Sequence, residues 1–336
     1  MAYTFGIIGN GSWATALAKM LTSNGNIINW WMRNEEAKNH LMKHHHNLHY
    51  LSSVDFNADT IIPSTNIQEV IEHSDCLVIC VPSAYVVRIM EHLPKRIFEN
   101  KIIISAIKGI LPDEHVLLND YMGENFNVIL ENYFSITGPC HAEEVALERL
   151  SYLTFSGLDQ DKTKEIAQSF RTEFIQTNVN HDLYGSQYAA VLKNIYAIGA
   201  GMAHGLGYGD NFLSVYITNC YREMYYFLQQ QFELANTGMD NPDFHTSAYL
   251  GDLLVTCYSP HSRNRTFGTL LGKGYSISAA TAEMNMVAEG YFASKGMQNI
   301  ISQLDLKLPM AQIIHEILWE NKNKSLKFKE MECLLS

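Results

Sequence analysis

The strongest candidate for chemistry in this 336-residue sequence is a lysine inside an apolar helix. Residues 188–201 have the period of an amphipathic helix, and Lys193 and Asn194 stand within that otherwise apolar stretch. Burial lowers the pKa of a lysine, and a lysine with a lowered pKa can act as a general acid or base. The alternative is a surface lysine whose stem covers apolar neighbours. We therefore take Lys193 as the first candidate catalytic residue.

A second group of candidates concentrates hydrogen-bond donors in one short stretch. Residues 259–265, here called the donor segment, read SPHSRNR, and Asp252 precedes them. Arginine pairs with phosphate through two parallel hydrogen bonds, while Ser262 and Asn264 add neutral donors. Because the whole chain has a net charge of -11, this local cluster predicts a site for a phosphorylated small molecule. A solvated loop is the alternative.

The turn at residues 9–14 has the pattern G-x-G-x-x-A between a predicted strand at 3–8 and a predicted helix at 12–23. Gly9 permits the tight turn, and Gly11 lets a pyrophosphate approach the backbone. The free N–H groups at the start of the helix face the same anion. In this context the motif predicts a dinucleotide site, and a glycine turn without a ligand is the alternative.

The second predicted strand, at 27–32, is not followed at once by the acidic residue that binds the adenosine ribose in NAD-preferring folds. Arg33 follows it instead, and a guanidinium there can face the 2′-phosphate of NADP. Glu35 and Glu36 come soon afterwards and keep NAD open as a cofactor. A solvated surface arginine is the alternative role for Arg33.

Two further candidates follow apolar, strand-like runs. Lys108 comes after the run at 101–106, and ligands of doubly wound sheets bind at the carboxyl ends of strands. An exposed charge at a strand end is the alternative. Gly138 lies in residues 137–144, which indicate a turn and a helix start that offers backbone N–H groups. Cys140 and His141 are adjacent, so their side chains generally point differently, and we do not expect a nucleophilic pair.

The pattern of elements that would position these residues indicates two domains. Up to residue 183, apolar runs alternate with amphipathic stretches, which favours a parallel sheet covered on both faces. Beyond it strand signals almost vanish, and residues 187–204, 212–233, 279–303 and 311–319 have helical period, with a loop at 236–244. We predict an α/β, Rossmann-type doubly wound domain at 1–183 that binds NAD(P). An all-α, substrate-binding and catalytic domain follows at 184–336.

Composition excludes several classes of protein. A net charge of -11 argues against a nucleic-acid surface. No apolar run approaches the ~20 residues that span a bilayer, and the six cysteines without a C-x-x-C pair favour reduced, cytoplasmic thiols. The run His44 to His46 would need further ligands at suitable spacing to bind a metal ion. We therefore expect a polar surface loop there and no metal.

Together the motifs resemble the NAD(P)-dependent glycerol-3-phosphate dehydrogenase family of bacterial type. The matching stretches, in the family's order along almost the whole chain, are GNGSWATALA, WWMRN, IKGI, ITGPCHAEEVA, VLKNIYAIGAGMAHGLGYGDN, GDLLVTCYSPHSRNRTFG, MVAEG and LPMAQIIHEILWE. The resemblance implies reversible reduction of dihydroxyacetone phosphate to sn-glycerol 3-phosphate with NADH or NADPH. It further implies a supply of glycerol 3-phosphate for glycerophospholipid synthesis, and a cytoplasmic homodimer without membrane insertion.

The resemblance also implies roles for individual residues. Lys193 matches the proton donor and acceptor, and Lys108 and Asp252 complete the catalytic set. The cofactor-binding set is Gly9, Gly11, Ser12, Trp13, Arg33, Lys108, Ala142, Arg263, Val287 and Glu289. The substrate-binding set is Lys108, Gly138, Cys140, Lys193, Asp252, Ser262, Arg263 and Asn264.

Three departures from the family pattern stand out. Cys140 replaces the usual serine, so a hydroxyl in contact with substrate becomes a weaker thiol donor. Asn219 and Cys220 replace an Arg-Gly pair, and residues 231–240 resemble a short insertion.

Two other functions stay open as alternatives. One is a two-domain dehydrogenase for a hydroxy acid or an acyl substrate, and the other is a non-catalytic nucleotide sensor. The sensor would be expected to lack Lys108, Lys193 or Asp252, all of which are present.

Overall fold

The computed structural model describes residues 3–235, 242–284 and 288–336, and the chain divides into two compact units. The sheet unit comprises Met1–Ile107 and Leu118–Leu183, and the helical unit comprises Lys108–Leu117 and Tyr184–Ser336. The segment Lys108–Leu117 thus clusters with the helical unit, although the sequence pattern groups it with the sheet. None of the described helices is long and apolar enough to cross a membrane.

The sheet unit is built on one sheet of eight strands in the order β3-β2-β1-β4-β5-β6-β7-β8. All neighbouring strands are parallel except β6 and β7, which are antiparallel. The order reverses direction at β1, so the switch point of this doubly wound sheet lies between β1 and β4. The strands are β1 Phe5–Ile8, β2 Ile28–Trp31, β3 Ile61–Ser64, β4 Cys76–Ile79, β5 Ile102–Ser105, β6 Tyr133–Thr137, β7 Ser151–Gly157 and β8 Ile175–Asn180.

The central strands are buried along their whole length, as the continuous apolar runs predict. Every residue of β1, β4 and β5 is buried, which requires cover on both faces of the sheet. The predicted Rossmann-type sheet is confirmed. The helices of this unit are α1 Ser12–Ser23, α2 Glu35–His44, α3 Ile67–Glu72, α4 Ser83–Met90, α5 Leu118–Phe126, α6 Ala142–Ala146 and α7 Gln160–Phe170.

The helical unit contains α8 Leu183–Gly205, α9 Asp210–Ala235, α10 Asp252–Tyr258, α11 Arg263–Gly272, α12 Ile277–Glu283, α13 Glu289–Gln303, α14 Pro309–Trp319 and α15 Lys324–Glu332. The prediction of one helix over 279–303 is wrong, because α12 ends at Glu283 and α13 begins at Glu289. Residues 285–287 lie outside the described residues, as does most of the predicted loop at 236–244. Of the predicted insertion at 231–240, residues 231–235 belong to the last turn of α9.

Two of these helices, α8 and α11, pack with their backbones in contact. A Cβ atom on Gly201 of α8 would lie 2.0 Å from the carbonyl oxygen of Arg265 in α11. A Cβ atom on Gly268 of α11 would likewise lie 2.0 Å from the carbonyl oxygen of Ile198 in α8. Only glycine allows so close an approach. The start of α11 is therefore held against the helix that carries Lys193.

The family departure in α9 is accommodated by burial and hydrogen bonding. Asn219 is buried, and its Nδ2 donates to the backbone oxygens of Val215 at 2.9 Å and Ser336 at 3.2 Å. Cys220 is fully buried and belongs to the apolar core of the helical unit. The replaced pair thus contributes to packing of the helical unit.

Candidate active site

The centre of the candidate site in the helical unit is a buried ion pair between Lys193 and Asp252. Lys193 lies in α8 with 4% of its surface exposed, and Asp252 begins α10 with 1% exposed. The Nζ of Lys193 donates to Oδ1 of Asp252. Oδ2 of Asp252 is buried and has no hydrogen-bond partner among the described residues. The alternative of a surface lysine is therefore wrong, and the carboxylate retains an acceptor for a further donor.

The surroundings of Lys193 bring its pKa into the range that suits a general acid or base. Burial lowers the pKa of Lys193 from its ordinary 10.5 to about 8. The Asp252 carboxylate opposes this change in the pKa, and the positive charge of Lys108 adds to it. The amine therefore carries its proton at neutral pH but releases it more readily than a solvated lysine does, which suits proton transfer.

Side-chain hydrogen bonds fix the backbone at Asp252 and at Lys108. Thr256 Oγ1 donates to the backbone oxygen of Asp252 at 2.5 Å, which fixes the first turn of α10. Asn194 Nδ2 donates to the backbone oxygen of Lys108 at 2.9 Å. Asn194, which is adjacent to the candidate acid Lys193, thus fixes the main chain at Lys108, another candidate site residue. The sequence did not predict this role for Asn194, and the only signal for it was the position of Asn194 beside Lys193.

The second half of the donor segment forms the start of a helix, while residues 259–261 precede it in a turn. The solvated-loop alternative is therefore wrong for residues 262–265. Ser262 is the N-cap of α11, and its Oγ accepts from the backbone N–H of Arg265 at 3.3 Å. The Oδ1 of Asn264 accepts from the backbone N–H of Gly290 at 2.9 Å. The Ser262 and Asn264 side chains, which were predicted to bind a ligand, therefore also form hydrogen bonds that stabilise the fold. The half-buried Arg263 pairs with no carboxylate in the part of the chain that the structure describes, and it stands where the helix dipole favours an anion.

The start of α13 completes this arrangement. Glu289 is its first residue, and a Cβ atom on Gly290 would lie 2.4 Å from the backbone oxygen of Asn194. Since Asn264 also binds Gly290, the helices that carry Lys193, the donor segment and Glu289 all meet at this glycine. Val287, predicted to bind cofactor, lies outside the described residues.

In the sheet unit, the glycine turn has the geometry that a bound pyrophosphate requires. Gly9 has φ +127°, and a Cβ there would lie 2.2 Å from the backbone oxygen of Cys80, so only glycine fits. A Cβ on Gly11, by contrast, would meet no atom within 4 Å. Ser12 and Trp13 begin α1 directly beyond it. Open space above a glycine at a helix N-terminus fits a dinucleotide phosphate.

The other predicted residues of the sheet unit lie at the same edge. Strands β1, β2 and β6 run in one direction, so their carboxyl ends meet at one edge of the sheet. Arg33 is exposed just beyond β2, and Gly138, with φ +111°, follows β6. Cys140 is buried, and Ala142 is the first residue of α6. The sheet unit thus brings together the predicted cofactor residues that it contains.

Comparisons with known proteins agree along almost the whole chain. Residues 4–163 match the family model described as the NAD-dependent glycerol-3-phosphate dehydrogenase N-terminus, and residues 182–327 match the corresponding C-terminus. The chain is 33% identical over 318 residues to glycerol-3-phosphate dehydrogenase [NAD(P)+] of Chlorobium limicola, which covers 94% of this chain and 93% of the relative. It is 31% identical over 318 residues to the enzyme of the same name from Bacillus subtilis, with 94% and 90% covered.

A solved structure shares the fold. The crystal structure of glycerol-3-phosphate dehydrogenase from Coxiella burnetii superposes with a TM-score of 0.89 at 24% identity. The match covers 98% of this chain and 98% of that one. The similarity therefore extends over both the sheet unit and the helical unit.

Proposed function

The chain belongs to the NAD-dependent glycerol-3-phosphate dehydrogenase family, and we propose that it reversibly reduces dihydroxyacetone phosphate to sn-glycerol 3-phosphate with NADH or NADPH. It is accordingly an NAD(P)-dependent oxidoreductase. The observation that carries the choice of reaction is the buried pair of Lys193 and Asp252 in the unit that also contains Arg263, which begins a helix and pairs with no carboxylate among the described residues. A proton donor and an anion site are what reduction of a phosphorylated ketone requires.

The proton chemistry follows from the geometry around Lys193. When bound, NAD(P)H supplies the hydride to the ketone carbon. Negative charge then develops on the ketone oxygen, and the Lys193 ammonium stabilises that charge and donates its proton. Asp252 holds Nζ in place through Oδ1. In the oxidation direction, the neutral amine accepts the proton of the substrate hydroxyl.

The remaining residues bind and orient. We assign the substrate phosphate to Arg263 and the start of α11, because a dianion removed from water needs charge-assisted hydrogen bonds. Lys108, Gly138 and Cys140 are assigned to the substrate. The glycine turn, with Ser12, Trp13, Arg33, Ala142, Val287 and Glu289, is assigned to the cofactor. The sheet unit is thus proposed to bind NAD(P), and the helical unit is proposed to carry out proton transfer.

Initial rates test the proposed reaction directly. We expect NADH or NADPH oxidation with dihydroxyacetone phosphate to exceed that with unphosphorylated dihydroxyacetone, 2-oxo acids and 3-oxoacyl substrates. Faster turnover of an oxo acid or an acyl substrate would instead favour the other dehydrogenase class. Tight binding of NADH without turnover of any of these substrates would favour a nucleotide sensor.

We also propose that the protein is a cytoplasmic homodimer whose partners are small molecules and not nucleic acid. The net charge of -11 and the family resemblance support this assignment. Light scattering on the purified chain should give twice the mass of the 38.1 kDa monomer. A monomeric mass at assay concentrations would contradict the dimer.

A further inference from the structure

The end of α2 and the residues after it carry five histidines, at positions 40, 44, 45, 46 and 49. His40 and His44 lie one turn apart in α2, with ring centroids 4.5 Å apart. The helix ends at His44, and its C-cap His45, with φ 60°, turns the chain back. The ring centroid of His46 then lies 4.8 Å from that of His40 and 6.1 Å from that of His44. Three imidazoles therefore form one cluster. His40 supplies the further ligand that the run His44 to His46 lacks in sequence.

The hydrogen bonding of two of these imidazoles leaves Nε2 as the nitrogen that each can offer to a metal ion. The Nε2 of His40 is shielded from solvent and has no hydrogen-bond partner among the described residues. The Nδ1 of His46 lies 3.1 Å from the backbone oxygen of Asn47. A proton on Nδ1 that donates to this oxygen leaves the lone pair on Nε2, which is how ligating histidines are commonly oriented.

The backbone beneath the cluster is anchored. Asn47 directly follows His46 and is buried, and its Nδ2 donates to the backbone oxygen of Asn10 at 3.0 Å and to Thr15 Oγ1 at 2.9 Å. One end of the cluster is thus fixed by α2 and the other by Asn47. Less chain entropy is lost when an anchored segment binds a ligand than when a mobile one does.

We propose that His40, His44 and His46 bind one divalent transition-metal ion of the Zn²⁺ class, with solvent completing the coordination. Imidazole ligands favour Zn²⁺, Cu²⁺ or Ni²⁺ over Mg²⁺ and Ca²⁺. Zn–N bonds of about 2.0–2.1 Å in a tetrahedral site place ring centroids about 5 Å apart, and the three centroid distances bracket that value.

Binding requires the imidazoles to turn about their side-chain bonds. As the side chains of the described residues stand, no group of three or more His, Cys, Asp or Glu could hold a metal ion, and this includes the three imidazoles of the cluster. His44 is exposed and can turn without disturbing the core, while His40 and His46 are only partly buried. Glu36, one turn before His40, adds a carboxylate whose charge acts on His40 and would favour a bound cation.

Zinc titration of the untagged full-length chain tests the proposal. After removal of metal with a chelator, the protein is titrated with ZnCl₂ in a calorimeter in competition with a chelator of known affinity. We expect one Zn²⁺ per chain. His40→Gln and His44→Gln should each weaken binding by at least ~10²-fold, since loss of a group behind a ligand already costs roughly 10–100-fold.

The matched control is His92→Gln, which removes an exposed histidine outside the cluster and should bind zinc as the unaltered chain does. Circular dichroism verifies that each variant is folded, and His44 is exposed enough for its replacement to leave the fold intact. The proposal is overturned if the unaltered chain binds no stoichiometric Zn²⁺, or if the His40 and His44 variants bind like the control. None of these measurements involves turnover, so their outcome is independent of the proposed dehydrogenase function.

Discussion

Replacement of Lys193 by methionine should damage both turnover and folding, and the two effects can be separated. Without its ammonium the enzyme loses the proton donor, and kcat for ketone reduction should fall by at least ~10²-fold. The affinity for NADH, measured by fluorescence, should change little, because Lys193 is assigned to proton transfer. Near-normal kcat in a folded variant would remove Lys193 from the mechanism.

The effect on folding follows from what the variant leaves behind. Oδ1 of Asp252 loses its ion-pair partner, Oδ2 has no hydrogen-bond partner among the described residues, and the side chain is 1% exposed. Breaking a buried ion pair by removing one partner costs about 3–5 kcal/mol. Replacing both partners with apolar residues of similar volume is often neutral or stabilising. The double variant Lys193→Met with Asp252→Leu should therefore regain most of the lost stability while remaining inactive.

Urea denaturation at pH 7 measures the free energies of unfolding that this reasoning needs. The control is Lys329→Met, which removes a 71% exposed lysine from its pair with Glu332 and should cost less than about 1 kcal/mol. If Lys193→Met is as stable as that control, removal of the lysine does not leave the Asp252 carboxylate buried without a partner. If the double variant is no more stable than the single one, the ion pair is not the source of the cost.

Three further predictions concern the reaction. Since the pKa of Lys193 is lowered to about 8, kcat/KM for reduction should decline as pH rises through that value, and a profile flat to pH 10 would contradict the assignment. Arg33→Ala should raise KM for NADPH more than KM for NADH, because only NADPH carries the 2′-phosphate; equal changes in steady-state assays would make the residue merely structural. Arg263→Ala should lose ~10²-fold or more in kcat/KM for dihydroxyacetone phosphate, roughly 2.7 kcal/mol, and much less for dihydroxyacetone at saturating cofactor. Equal losses for the two ketones would mean that Arg263 does not bind phosphate.

Local periodicity predicted the doubly wound sheet and favoured burial of Lys193. The runs that form β4 and most of β5 are apolar without interruption, whereas β8 reads IQTNVN and is only partly buried. The bounds of α1 coincide with the predicted 12–23 because a glycine turn precedes the helix. Lys193 stands in a long apolar period, which favoured burial, but a surface lysine whose stem covers apolar neighbours fitted the same pattern until the structure showed 4% exposure.

Other features depend on contacts between residues distant in sequence. The bond from Asn194 to the backbone of Lys108 joins positions 86 residues apart, and no local pattern encodes it. The start of α11 escaped prediction because its capping serine lies among donors that also suit a ligand. The division between α12 and α13 was missed because the apolar period continues across it.

The contact of α8 with α11 through glycines limits how this half of the protein can diversify. A larger residue at Gly201 or Gly268 meets backbone atoms, which cannot swing aside as a side chain can. The two helices therefore cannot slide past each other to reshape the site. New substrate preferences in the helical unit should arise by exchange of side chains such as Arg263, while the spacing between α8 at Lys193 and the start of α11 stays unchanged.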